Sequence, residues 1–260
     1  MSLKSKIKTY FFQFTYPAVL HPTYVLRIKN RKRLPMLILG FLPISRLILI
    51  NESFTAKYWE RINNVGTLDE HFVLLNFDLR PPSKILDIGC GNSSISLGLA
   101  SFGYDIIGID FRYAGYSHKN FTYLKENFYD YDFKEQSFEC ILAISVLEHI
   151  GMGHYGEQPV ENGDMVAMSK IKSLLKPNGV IFISVPGGKR MIYEKNGIRY
   201  IRVFDPKQIE DLCSGLVIEK ELFFRKIDQD WFECTREELE QVQYVDEDVG
   251  AILIKARLPA

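Results

Sequence analysis

From Lys84 onward the chain alternates short continuous apolar runs with stretches in which apolar residues recur at helical spacing. Runs of the first kind fit strands buried on both faces, and stretches of the second fit helices that cover them. Strands are predicted at Lys84–Ile88, Tyr104–Ile109, Phe121–Lys125, Phe138–Ile144 and Val180–Val185. Helices are predicted at Ser93–Ser101, capped by Asn92 or Ser93, and at Gly163–Leu175, closed by Lys176-Pro177-Asn178-Gly179. Asp205-Pro206 opens a further helix, with Asp as cap and Pro in the first turn. Leu216–Phe224 and Ala251–Arg257 complete the sheet as an antiparallel pair. Upstream, Tyr58, Trp59, Ile62, Val65, Phe72 and Leu75 keep helical spacing across Thr55–Phe77, with a break near Gly66, until Pro81-Pro82 ends the pattern. Strands alternating with helices predict an α/β domain with a mainly parallel sheet.

The chain has 260 residues, 47% of them apolar, enough for one large core with an appendage rather than two equal domains. The division expected is an N-terminal extension over 1–54 and a single domain over 55–260. Net charge is zero but unevenly placed. Residues 1–50 hold nine basic side chains and no acid, leaving 23 basic against 32 acidic groups in the rest. An acidic body argues against a broad phosphate-binding face, so no nucleic-acid partner is expected. Leu34–Ile50 is apolar, but it is short for a span and carries Pro35, Gly40, Pro43 and Arg46. Two readings of residues 1–50 stay open: a segment packed on the domain, and an in-plane peripheral contact with an anionic membrane surface. The four cysteines are scattered and have no metal-ligand spacing, which fits reduced thiols and a cytoplasmic location, with or without attachment to the inner face of the membrane.

The densest chemical signal is Asp87-Ile88-Gly89-Cys90-Gly91-Asn92-Ser93-Ser94. A buried strand runs here into a glycine-bearing turn and then a helix, so that a ligand can lie against backbone. A nicotinamide-binding turn would want a third glycine where Ser94 stands, and Asp87 would oppose a pyrophosphate. About twenty residues on, Asp110-Phe111 ends the second strand, placing a carboxylate to accept both ribose hydroxyls and a ring to stack on a base.

These two motifs, followed by Ser137-Phe138-Glu139-Cys140-Ile141, Val146-Leu147-Glu148-His149-Ile150 and Leu174-Leu175-Lys176-Pro177-Asn178-Gly179, resemble the ordered motif set of class I S-adenosylmethionine-dependent methyltransferases. More narrowly they resemble the small-molecule and ubiquinone-biosynthesis-type O-methyltransferases. The Glu148–Gly156 stretch, Val185–Lys189 and Arg202–Pro206 are similar to a branch associated with bacterial surface-glycan synthesis. The resemblance implies a Rossmann-like fold with a mostly parallel seven-stranded sheet, one antiparallel strand and helices on both faces. It implies S-adenosylmethionine as cofactor, with Asp87, Gly89, Cys90 and Gly91 along its methionine end, Asp110 on the ribose and Phe111 near the adenine. Asn127 stands where the family usually has an acid for the adenine amino group, with Phe128 beside it, and Ser145 and Val146 end the fourth strand near the sulfonium.

Methyl transfer needs alignment of the acceptor, exclusion of water and, for a hydroxyl, removal of a proton. His149 is the base candidate, with Glu148 beside it and His154 as a second choice; a loop-holding role for the pair is the alternative. No metal site is expected, since Ser145 replaces the acid that some relatives use. The glycine-rich Gly151–Gly163 stretch reads as a substrate loop, and Gly187-Gly188-Lys189-Arg190 could meet an anionic acceptor group. The acceptor implied is a small polar metabolite or a glycan. Alternatives are a lipid or quinone-like acceptor, or a catalytically silent cofactor-binding relative.

Overall fold

The computed structural model describes residues 65–260 apart from 92, 113–116, 196, 228–229 and 245–249. It also describes two short parallel strands in the N-terminal segment, β1 (Tyr24–Arg27) and β2 (Leu47–Ile50). The rest of the expected 1–54 extension, and the first part of the Thr55–Phe77 pattern, lie outside the described residues.

After helix α1 (Val65–Asn76), strands β3 (Lys84–Ile88), β4 (Asp105–Ile109), β5 (Phe121–Leu124), β6 (Phe138–Ile144) and β7 (Leu175–Gly187) form the parallel part of the sheet. Strands β10 (Val217–Ile227), β11 (Asp230–Cys234) and β12 (Gly250–Arg257) complete it in the order β5-β4-β3-β6-β7-β12-β10-β11. The antiparallel pairing of β10 with β12 agrees with the sequence reading, and β12 also runs antiparallel to β7. The sheet has eight strands rather than seven, because β10 continues to Ile227 and folds back as β11. A separate hairpin, β8 (Met191–Lys195) with β9 (Ile198–Val203), was not expected either.

Side chains alternate across the sheet, and each face has its own core. Leu86, Ile141, Ile181 and Ile254 meet Met168 and Ile171 of helix α3 (Gly163–Leu174) and Ile209 and Leu212 of α4 (Pro206–Leu212). Their neighbours in the strands, Ile85, Leu142, Phe182 and Leu253, meet Phe72, Val73 and Phe77 of α1 and Ile95 and Leu99 of α2 (Ser94–Ser101). This two-faced burial explains the continuous apolar runs. Ser93 caps α2 and Asp205 caps α4, and Gly66 falls inside α1, so the break in the upstream pattern marks a helix start. A last short helix, α5 (Arg236–Leu239), opens with a capping box from Thr235 and Glu238. Strand order reverses between β3 and β6, and α/β sheets bind ligands at such a switch, at the carboxyl ends of the strands.

Candidate functional site: a cleft at the carboxyl ends of the strands

β3 turns sharply at Gly89, whose N–H donates to the Ile109 carbonyl at 2.8 Å and whose φ is +67°. A side chain there would be strained and would collide with Val146, so the turn presses backbone against the end of β6. From this turn the Gly91 N–H donates to Asp110 Oδ2 at 2.8 Å. Asp110 Oδ1 accepts from the Arg112 N–H at 2.8 Å, and the Arg112 guanidinium closes on both oxygens at 3.3 Å. The same guanidinium lies 5.5 Å from the centre of the Tyr155 ring, a cation–π contact. Arg112 and Tyr155 thus reach across to one another beside the carboxylate.

A cavity of about 280 Å³ opens between these groups. Of the residues chosen from sequence, Gly89, Asp110, Phe111, Asn127, Phe128, Ser145 and His149 line it, as does Val146. Asp87, Cys90, Gly91, Glu148 and His154 do not. Asp87 turns under α2, where its carboxyl accepts from Ser96 Oγ at 2.5 Å and burial pushes its pKa up to about 7. Cys90 is buried against Gly108, and desolvation raises its thiol far above the ordinary range. Asn127 is tied down, its Oδ1 accepting from the Tyr129 N–H at 3.0 Å and its Nδ2 donating to Asp130 at 2.7 Å. The second lone pair of that oxygen is what remains for a ligand.

Opposite the turn, Ser145 ends β6 in a left-handed conformation with φ +47°. Its N–H donates to Ser184, to the carbonyl and to Oγ, each at 3.0 Å, and its hydroxyl donates to Asp69 Oδ2 at 3.1 Å. His149 Nδ1 donates to the Tyr200 carbonyl at 3.1 Å, which fixes the tautomer and leaves Nε2 as an acceptor. Burial holds this imidazole below its ordinary pKa, so it is neutral at pH 7. Glu148 is 3% exposed, and burial pushes its pKa up to about 8. Its Oε1 stands 3.9 Å from His149 Nε2, too far for a hydrogen bond, and its Oε2 has no partner. His154 packs on Tyr200, ring centres 4.3 Å apart, and its buried Nδ1 is likewise unpartnered.

The Gly151–Gly163 segment is a braced loop. Glu157 gathers the N–H groups of Gly153 at 2.8 Å and Tyr155 at 2.9 Å, and Tyr129 bonds the Gly163 carbonyl. Arg202 on β9 holds the base of the loop, donating to the Leu147 carbonyl at 3.1 Å and pairing with Asp164 at 3.4 Å. The sequence reading did not single out Asp69, Arg112 or the bracing role of Arg202. Arg112 had a signal, a fork-shaped donor two residues from the ribose candidate, while Asp69 lay in a helix pattern read only for its apolar face. Among the described residues, no three His, Cys, Asp or Glu side chains are grouped so as to hold a metal ion.

With this geometry in place, the comparison with protein families is decisive: residues 58–219 match the model of the methyltransferase domain. The chain belongs to the methyltransferase domain family. Its fold agrees with that of other class I S-adenosylmethionine-dependent methyltransferases. A 1,6-didemethyltoxoflavin-N1-methyltransferase from Burkholderia thailandensis superposes with a TM-score of 0.53 at 16% identity, over 90% of this chain and 94% of that one. Among curated relatives of this methyltransferase-domain chain, a sterol 24-C-methyltransferase from Yarrowia lipolytica is 30% identical over 48% of the chain and 34% of the relative. A ubiquinone biosynthesis O-methyltransferase from Rickettsia akari is 27% identical over 51% of the chain and 53% of the relative. The matches thus span about a third to about half the length of these two relatives.

Proposed function

We propose that the chain transfers a methyl group from S-adenosylmethionine to an oxygen of a small polar metabolite or a glycan. The observation that carries this reading is that His149, neutral and with Nε2 free to accept a proton, lines the same cleft as Asp110. The residues present fit the cofactor. Asp110 offers two carboxylate oxygens beside a turn where only backbone intrudes, and Phe128 and Ile109 give the cleft an apolar wall. When bound, S-adenosylmethionine supplies a methyl group already activated by its sulfonium. The chain's own residues then hold the donor through Asp110 and the Gly89 turn, orient the acceptor against the braced loop, and take the acceptor's proton at His149 Nε2.

The names of the relatives favour a lipid or quinone-like acceptor as a second reading, since one is a sterol 24-C-methyltransferase and another a ubiquinone biosynthesis O-methyltransferase. No helix among the described residues is long and apolar enough to cross a membrane. The nine basic residues of positions 1–50 support a peripheral contact with anionic lipid as the way such an acceptor would be presented. Methyl-labelled S-adenosylmethionine, incubated with the protein and separated polar and lipid extracts, tests both. Label in an alkali-stable ether of the polar fraction supports the first reading, and label in the lipid fraction the second. Cofactor binding without transfer to either would show a silent relative.

A further inference from the structure

Asp69 lies on α1, one side chain removed from the cleft. It is 1% exposed, Ser145 Oγ donates to its Oδ2 at 3.1 Å, and Ser145 itself lines the cleft. The Ser184 side chain also favours the charge of this carboxyl, while its other oxygen, Oδ1, is buried with no hydrogen-bond partner. Among the described residues no lysine or arginine pairs with it. Its charged surroundings are acidic: Glu70 on its own helix, which turns away to Ser94, and Glu148 beyond Ser145. The one guanidinium that acts on Glu148, that of Arg202, is already committed to Asp164 at 3.4 Å, and His149 is held neutral. A buried carboxyl that feels a second acid, with no cation and one oxygen idle, is strongly disfavoured in its ionised form. Nothing in the packing needs that charge, because Ser145 is already held by Ser184 through its backbone N–H. A positive group arriving in the cleft would supply the missing partner.

We propose that Asp69, coupled to the cleft through Ser145 Oγ, is the counter-charge to the cofactor's sulfonium and makes the cleft prefer the charged methyl donor to the neutral thioether left after transfer. The inference rests on the reading of this cleft as the S-adenosylmethionine site. The attraction exists while the sulfur carries its charge and vanishes when the methyl group leaves, so the same carboxylate that favours loading of the donor ceases to hold the product. Burial pushes the pKa of Asp69 up to about 7, and that of Glu148 to about 8, so near neutral pH Asp69 is partly protonated, and a bound cation draws it toward the ionised form with release of a proton to solvent.

The test is isothermal titration of the full chain with S-adenosylmethionine and, separately, S-adenosylhomocysteine. Asp69→Asn should weaken the first by about tenfold and leave the second within about twofold, because a single charge–charge interaction is removed. Ser145→Ala keeps the carboxyl but cuts its link to the cleft, and should lower the same preference in the same direction; it stands in if the first variant does not fold. In the unaltered protein the preference for the charged ligand should grow between about pH 6.5 and 8.5, the α-amino group common to both ligands cancelling in the ratio. Equal loss for both ligands, or an unchanged ratio in Ser145→Ala together with a pH-independent ratio, would overturn the charge role and leave the cleft assignment standing. Failure of the unaltered protein to bind either ligand would overturn both.

Discussion

The two edges of the cleft are built on opposite terms. Along the β3–β4 edge, both Asp110 oxygens are bonded, to the N–H groups of Gly91 and Arg112 and to the Arg112 guanidinium, and Asp87 is locked under α2 by Ser96. Along the β6 edge, Asp69 Oδ1, Glu148 Oε2 and His154 Nδ1 are buried without partners, and His149 keeps a free Nε2. A polar atom left idle in a protein interior forfeits about 1–3 kcal/mol. Satisfied groups make the first edge a rigid holder, whereas the second keeps capacity for a cation, a proton and an acceptor. In the proposed function, holding and reacting are thus separated across about 280 Å³ of cleft.

The comparison breaks most visibly at His149. His149→Ala should lower turnover by about 10²–10⁴-fold, the usual span for proton transfer, while cofactor affinity stays close to that of the unaltered protein. Because burial holds this imidazole below its ordinary pKa, turnover at saturating substrates should stay flat through neutral pH and fall only on the acid side of the ordinary imidazole range. An active alanine variant with a flat acid limb would reduce His149 to a support for the loop through Tyr200.

The buried acids give a stability signature of the opposite sign from ordinary salt-bridged carboxylates. Asp69 and Asp87 are pushed up to about 7 and Glu148 to about 8, so between the unfolded carboxylate range and these values the folded chain binds more protons than the unfolded one. Stability must then fall as pH rises through that window. The melting temperature of the ligand-free protein should drop by on the order of 5–10 °C between about pH 5 and 8. Asp87→Asn should flatten part of that slope. Melting curves at constant ionic strength read both, and a melting temperature that rises across this range would show these acids to be ionised in the fold.

Much of the holding edge could be read in the sequence because its parts are close along the chain: the turn after β3 and the acid ending β4 lie about twenty residues apart and carry glycine and carboxylate signatures. On the edge proposed to react, the Glu148-His149 pair stood out in the sequence, but its surroundings did not. Asp69, Ser184, Tyr200 and Arg202 reach it from α1, β7 and β9, and no local pattern announces a buried acid in an amphipathic helix. The β8–β9 hairpin escaped notice because its apolar residues are mixed with Tyr, Glu, Lys and Arg, although Asn196-Gly197 between the strands is a hairpin-type dipeptide. The eighth strand was missed for a similar reason, as Asp230 and Glu233 interrupt β11, which sits at the sheet edge. Asp87 and Cys90 were drawn toward the ligand by their place in the motif, but strand alternation turns Asp87 under α2, and Cys90 packs into the core against Gly108.

A smaller effect sharpens the picture of the holding edge. The Arg112 guanidinium occupies the face of Asp110 that ribose hydroxyls would need, and its side chain is 63% exposed. Exposed ion pairs contribute about 0–1 kcal/mol, so the guanidinium is easily displaced. Arg112→Ala should change cofactor affinity by no more than about fivefold, in the direction of tighter binding, since a weak competitor for Asp110 is gone. Loss of affinity by fluorescence titration would mean instead that Arg112, with Tyr155, closes over the bound cofactor.

Placement of the cofactor in this cleft turns on Asp110. Calorimetric titration of S-adenosylmethionine into the unaltered protein and Asp110→Ala should show a loss of about 1.5–3 kcal/mol, the range for hydrogen bonds to a charged group, with the melting temperature of the ligand-free variant nearly unchanged. Equal affinities in the two proteins, both folded, would remove Asp110 from the site and contradict the placement of the cofactor in this cleft.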